Sequence, residues 1–294
     1  MMNFLKKLFG SEETSPEEVK QEQQAKDFDI LKYDGVTALK QHLFDYAVKC
    51  FTHALELKDD GETRDYLAQA LIYTNDLPAA YAQLKHLSHL EPDNKRVWLR
   101  MAEVAYMMAD YDAMADACEK ANGLDSEDVY VNYTYARACI GRGDFGNGIA
   151  LLTKAVNLSV DNPLWEARLL RGQTLLKMSD MEQAEADADY MLEHIGDNED
   201  ALLLKARCRK AQGDNENALA YYGKVIEVNP FCTDAFRERA EIRRAMSDTQ
   251  GAQEDEAMLV ELESRGPQVS KTTETEQNIQ QKTEQAYKDV NPFG

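Results

Sequence analysis

The sequence contains few residues that interrupt a helix, because only 7 prolines and 15 glycines occur among its 294 residues. It also lacks any apolar run close to the roughly 20 residues that a membrane-spanning helix needs. Its 5 cysteines are odd in number and show no CxxC spacing, which disfavours a disulfide framework and a zinc site. These absences favour a helical protein of a reducing compartment, and we expect it in the cytoplasm.

Positive charge is scarce as well, since 53 acidic residues outweigh 33 basic ones and give a formal net charge of -20. Nucleic-acid binding requires clustered lysine and arginine, so we expect no nucleic-acid partner for this acidic protein. No glycine-rich phosphate loop, nucleophile elbow or HExxH motif occurs. His86 and His89 share helical spacing but lack further ligands for a metal. We therefore expect no enzyme activity, no metal and no cofactor.

What the sequence does contain is a repeating helical pattern. Three similar segments, each with an aspartate followed by an alanine-containing run, lie at residues 109–121, 143–155 and 213–225. The first two begin 34 residues apart, and the third begins two such periods later with two residues inserted. A period of this length predicts helix–turn–helix units that stack along the chain.

The pattern resembles the tetratricopeptide repeat (TPR), a helix–turn–helix unit of 34 residues. Every repeat has a small residue at position 8, where the two helices of such a unit cross and a larger side chain would separate them. The resemblance implies an all-α fold, a right-handed α-solenoid of antiparallel helix pairs. The predicted repeats are residues 28–60, 61–94, 95–128, 129–162, 165–198, 199–232 and 233–266. Their position-8 residues are Gly35, Ala68, Ala102, Ala136, Gly172, Ala206 and Ala240.

Both ends of the chain lie outside these repeats. Residues 1–27 combine a short amphipathic piece, MNFLKKLF, with a polar run, and we expect this segment to be flexible. Residues 1–10 have two interpretations: an anchor for a membrane surface or a partner, and a frayed terminus that packs weakly on the first repeat. Residues 267–294 are polar and are expected to form a solvated tail or a marginal helix.

In the TPR family, positions 2, 5, 6, 9, 12 and 13 of the first helix, helix A, point into a concave groove. Over repeats 3 to 7 these positions hold eight basic and six acidic residues, three of the latter in the first helical turn. We therefore expect a net positive groove. Arginine beside tyrosine suits an acidic peptide or a C-terminal carboxylate. The alternative is that these side chains are solvated or paired within the protein. The candidate groove residues are Lys32, Tyr66, Gln69, Tyr73, Arg96, Arg100, Tyr106, Tyr133, Arg137, Lys177, Arg207 and Arg237.

One subclass of the family binds chaperones through a carboxylate clamp. Lys32, Arg96 and Arg100 match three of its five positions, but Val36 and Tyr66 stand where the clamp has asparagines. Chaperone binding is therefore not expected. The sequence predicts a non-catalytic scaffold or adaptor that binds a peptide segment of another protein in the groove. Two alternatives stay open: a structural subunit or homo-oligomer of a larger assembly, and a regulatory subunit of an enzyme.

Overall fold

The computed structural model describes residues 15–264, and within that range it contains fourteen α-helices and no β-strand. Short turns join the helices, so consecutive helices run antiparallel and form seven pairs. The expected all-α fold, a solenoid of antiparallel helix pairs, is confirmed. In chain order the helices are α1 (Pro16–Lys40), α2 (Phe44–Leu57), α3 (Gly61–Tyr73), α4 (Leu77–Leu90), α5 (Lys95–Met107), α6 (Tyr111–Leu124), α7 (Val129–Gly141), α8 (Phe145–Leu158), α9 (Trp165–Lys177), α10 (Met181–Ile195), α11 (Glu199–Ala211), α12 (Asn215–Val228), α13 (Thr233–Ala245) and α14 (Thr249–Ser264).

The turn inside each pair has the same backbone shape in all seven repeats. Position 15 takes a left-handed conformation, with φ +81 at Gly143 and +79 at Gly213. The aspartate at position 16 then caps the second helix, helix B, of the last six repeats by accepting a backbone hydrogen bond. Glycine suits this turn, but five repeats use other residues at position 15, namely His42, Asn75, Ala109, Ser179 and Ser247.

The two helices of a pair cross closely at position 8. A Cβ added to Gly35 would lie 2.5 Å from the ring of Phe51 on the facing helix. One added to Gly172 would lie 2.5 Å from Leu204 of the next repeat. The alanines at this position in the other five repeats are buried. A small residue is therefore required by space, as the repeat pattern predicts.

Helix α1 begins earlier than the repeat pattern indicates. It starts at Pro16 and has 25 residues, so residues 16–27, which we expected to be flexible, are helical. Ser15 and Glu18 form a reciprocal capping box, and proline is favoured in the first turn. Residues 15–26 are exposed, so capping and helix-forming residues rather than burial account for this extension. The amphipathic piece and the predicted tail lie outside the described residues.

The contacts divide the chain into two compact units, residues 1–167 and 168–294. In the first unit each helix from α1 to α7 packs on the one that follows it, around an apolar core. The second unit also buries charge. Asp187 is 2% exposed and pairs with Arg168 and Arg171, and Asp255, equally buried, pairs with Arg239 and Arg243. The repeat pattern did not predict these buried ion pairs.

Exchanging glycine and alanine at position 15 should change stability in opposite directions. Ala109→Gly should raise the free energy of unfolding by about 0.5–1 kcal/mol, because an alanine is strained at φ +55. The matched variant Gly143→Ala should lower it by about 1 kcal/mol, since open space around Gly143 leaves only the backbone effect. Urea unfolding followed by circular dichroism measures both, and a shift of the same sign in both variants would contradict this explanation.

Candidate peptide-binding groove

In the first unit, helices α5 and α7 bring together an arginine, three tyrosines and a glutamate. The guanidinium carbon of Arg137 lies 3.8 Å from the centre of the Tyr106 ring and 5.6 Å from that of Tyr133. The Tyr130 hydroxyl donates a 2.7 Å hydrogen bond to the Glu103 carboxylate. We call these five residues the Arg137 cluster. It places a planar cation between aromatic rings, which is a favourable arrangement for a guanidinium.

Arg137 forms no ion pair with any carboxylate of the described residues. Burial favours the neutral form of its side chain, but Tyr133 and Tyr106 outweigh this effect and raise the pKa of Arg137. Burial also raises the pKa of Glu103, although the hydrogen bond from Tyr130 and the nearby Arg100 and Arg137 oppose the shift. The Arg137 cluster thus holds a half-buried cation that makes no ion pair with the described residues.

The tyrosines of the second repeat are held against aromatic residues of the first. Tyr66 stacks on Phe51 with the ring centres 5.7 Å apart, and its hydroxyl donates to Glu62 at 3.0 Å. Burial, reinforced by Glu62, raises the pKa of Tyr66 to about 12. Tyr73 stacks on Phe44 at 4.4 Å. Each ring therefore has one face fixed by the protein. The third candidate of this repeat, Gln69, is half-buried on the same helix.

Two of the predicted cations of the first unit are neutralised within the protein. The Lys32 ammonium lies 2.9 Å from Asp60 and 2.6 Å from Glu62. Burial opposes its charge, but these two carboxylates prevail and raise the pKa of Lys32. Arg100 forms an ion pair with Asp65. Arg96, by contrast, is exposed, and its side chain makes no ion pair with the residues that the structure describes.

The second unit pairs its predicted cations more completely. The Arg207 guanidinium donates to Glu238 at 2.6 Å and to Asp234 at 3.0 Å, and these two carboxylates raise its pKa despite burial. Arg237 donates to Asp234 at 2.8 Å. Lys177 is exposed at the edge of a cavity of about 410 Å³ between α9 and α11. Leucines form much of its wall, and its lining residues are Gln173, Leu176, Lys177, Asp200, Leu203, Leu204 and Arg207.

Most of the cations that were expected to make the groove positive thus pair with carboxylates of the protein itself, as in the alternative interpretation. The neutralising carboxylates stand at groove positions of the neighbouring repeat, or close beside them. Position 9 meets positions 2 and 6 of the next repeat, as Arg207 meets Asp234 and Glu238. The same geometry joins Glu103 at position 9 to Tyr130 at position 2. Counting charges along single helices missed this pairing, because the contacts connect one repeat with the next.

The candidate metal ligands of the sequence do not come together in residues 15–264. No group of three or more histidine, cysteine or acidic side chains in this range is arranged to hold a metal. His86 lies 3.1 Å from the Asp59 carboxylate instead. All five cysteines are buried free thiols. None of the helices in the described range is both long and apolar enough to cross a membrane.

A family model for the tetratricopeptide repeat matches residues 199–232, which are the bounds of the sixth predicted repeat. Among curated proteins, the chain is similar to a DnaJ homolog subfamily C member 7 homolog of Schizosaccharomyces pombe. The two are 21% identical over 205 residues, which cover 68% of this chain and 39% of that protein. Hsc70-interacting protein 1 of Drosophila melanogaster is 32% identical over 105 residues, covering 36% and 27% of the two chains.

The chain therefore spans well under half the length of these curated relatives. Among solved structures, a tetratricopeptide repeat protein from Parabacteroides merdae is similar with a TM-score of 0.66. That similarity covers 83% of this chain and 95% of the other at 13% sequence identity. At this level of identity it shows the fold alone.

Replacing Glu238 should destabilise the second unit, because this carboxylate binds two partners at once. It accepts hydrogen bonds from Arg207 and from the hydroxyl of fully buried Tyr222, at 2.7 Å. Glu238→Ala should lower the free energy of unfolding by about 2–3 kcal/mol, because it leaves the buried Tyr222 hydroxyl unsatisfied and removes one of the two carboxylates of Arg207. Glu241→Ala, which breaks an exposed pair with Lys210, should change it by less than about 0.5 kcal/mol. Urea denaturation compares the two, and equal losses would refute the stabilising role of Glu238.

Proposed function

Because this chain is built of tetratricopeptide repeats, we propose that it is a non-catalytic scaffold or adaptor that binds a segment of another protein along its helix A faces. The observation that carries this proposal is the Arg137 cluster. Tyrosine and arginine are the residue types that dominate binding energy at protein interfaces. Here they sit on helix A positions, half-buried and pre-oriented by stacking, so that little side-chain freedom is lost on binding.

The ligand chemistry that fits this cluster is a carboxylate, from an acidic side chain or from a C-terminus. A guanidinium has five donors in a planar fork that matches a carboxylate, and Arg137 makes no ion pair with a carboxylate between residues 15 and 264. Arg96, on helix α5 of the same unit, is a second cation that forms no ion pair with the described residues. Lys32 and Arg100 are less suitable, since a ligand would have to displace Asp60, Glu62 or Asp65 from them.

The names of two relatives connect them with Hsc70 and with DnaJ proteins, so a chaperone is a natural first partner to test. The carboxylate clamp is nevertheless not the binding mode that we propose. Two of its three matching residues, Lys32 and Arg100, are engaged in ion pairs, and its asparagine positions hold Val36 and Tyr66. We place the protein in the cytoplasm, where its five free thiols would stay reduced.

Selection of peptides from a random library on the immobilised full chain tests the proposal. Selected peptides should be enriched in aspartate and glutamate or should require a free C-terminus. Fluorescence polarisation with the free acid and the C-terminal amide of each peptide separates the two carboxylate sources. If no peptide binds more tightly than about 1 mM, a level at which the contacts contribute only about 4 kcal/mol, the scaffold function at this surface is wrong.

Arg137→Ala should weaken binding of a selected peptide about 10- to 100-fold, as expected for loss of a central arginine. Arg137→Lys should also weaken it, because lysine keeps the charge but lacks the planar fork. The control is Arg142→Ala, which removes an exposed arginine just after the same helix, where it pairs with Asp112. Binding that is equally weakened by Arg142→Ala, or unchanged in Arg137→Ala, would overturn the assignment of the Arg137 cluster.

A further inference from the structure

The first described helix, α1, exposes a face that every later helix A of the described repeats buries. Position 3 of helix A is exposed to at most 3% in repeats 2 to 7. In those repeats, helix A follows helix B of the preceding repeat. In the first repeat, position 3 is Ile30, which is 57% exposed. The buried position-3 residues are Thr63, Val97, Val131, Ala167, Ala201 and Ala235.

Helix α1 has its own helix B, α2, as the other repeats have, so the neighbour that it lacks among the described helices is a preceding one. The uncovered face, which we call the α1 face, consists of Val19, Ile30 and Tyr33. These are 53%, 57% and 73% exposed, and helical spacing puts them on one stripe. Asp29 and Asp34 flank the stripe near Ile30 and Tyr33. The α1 face therefore fits a segment that is apolar on one side and carries basic residues.

We propose that residues 2–9 of the same chain, MNFLKKLF, bind the α1 face in the place of the missing helix. Four apolar residues of this segment, Phe4, Leu5, Leu8 and Phe9, supply the apolar side. Lys6 and Lys7 supply the basic side, opposite Asp29 and Asp34. Residues 1–10 contain no acidic residue, in a chain whose net charge is -20. The segment is therefore complementary to the α1 face in both polarity and charge.

The length of the connecting chain permits this contact. Pro16 and Ile30 are separated by 14 residues of helix α1, which rise about 21 Å along its axis. Seven chain steps connect residue 9 to Pro16, and they span at most about 25 Å when extended. Residue 9 can therefore reach the level of Ile30, and residues 2–8 then lie beside Ile30, Tyr33 and Thr37. Bound in this way, the segment would run antiparallel to α1, as a preceding helix B would.

Disulfide trapping in the full chain tests this contact directly. The variant Leu5→Cys/Tyr33→Cys should form an intramolecular disulfide under mild oxidation, found by mass spectrometry of a monomeric band on a non-reducing gel. The native thiols do not interfere because all five are buried. The control Leu5→Cys/Leu90→Cys uses a residue of the same unit that is also half-exposed, at 51%, and should cross-link at least 10-fold less.

Two other occupants of the α1 face would give different results. An intermolecular disulfide in Leu5→Cys/Tyr33→Cys, with a dimer in light scattering, would mean that a second copy covers the face, and would overturn the proposal. Reactivity of a single Tyr33→Cys thiol toward a maleimide should rise at least 5-fold when Leu5→Glu and Leu8→Glu are added. An unchanged reactivity would also overturn the proposal. A third result that would overturn it is that no cross-link forms and the chain floats with phosphatidylserine-containing vesicles, while the Leu5→Glu/Leu8→Glu variant does not float.

Discussion

The close crossing of helix A and helix B at position 8 is the constraint on which the other features depend. At Gly35 there is no room for a methyl group, because a Cβ would lie 2.5 Å from Phe51 of the same pair. At Gly172 a Cβ would lie 3.3 Å from Asp187 of its own helix B and 2.5 Å from Leu204 of the next repeat. If one helix of a pair slid along the other, a larger residue would move into this contact. The crossing therefore fixes the register of each pair, and this register decides which residues are buried, which form the turn and which reach the groove.

This constraint explains why most of the fold could be predicted from the sequence. Small residues at a spacing of 34 locate the crossings, and the helix boundaries from α2 onward follow from them. Helix α1 was predicted too short because residues 16–27 contribute nothing to any crossing. Their helix depends on the capping box of Ser15 and Glu18, a local signal that a search for buried positions passes over. The sequence also did not indicate the left-handed backbone conformation of Ala109, because the helices on either side impose it.

The candidate site was less predictable, because its electrostatics arise between repeats. The sequence shows which residues occupy groove positions, but it does not show that position 9 meets positions 2 and 6 of the next repeat. That geometry pairs Arg207 with Asp234 and Glu238, and it directs Tyr130 to Glu103. Arg137, also at position 9, makes no ion pair with a carboxylate of the described residues and contacts the rings of Tyr106 and Tyr133 instead. In the seven repeats, most of the candidate groove cations therefore pair with carboxylates, and few of them form no ion pair with the described residues.

Net charge is a poor guide to the ligand of such a protein. A chain of charge -20 repels an acidic peptide at long range, and salt weakens that repulsion over a Debye length of about 8 Å. A half-buried guanidinium acts instead at contact, where screening is weak and hydrogen-bond geometry counts. Recognition of a carboxylate by Arg137 would therefore oppose the field of the whole molecule. Specificity then depends on which groove cations make no ion pair with the described carboxylates. In the first unit, Arg137 in the Arg137 cluster is the clearest example.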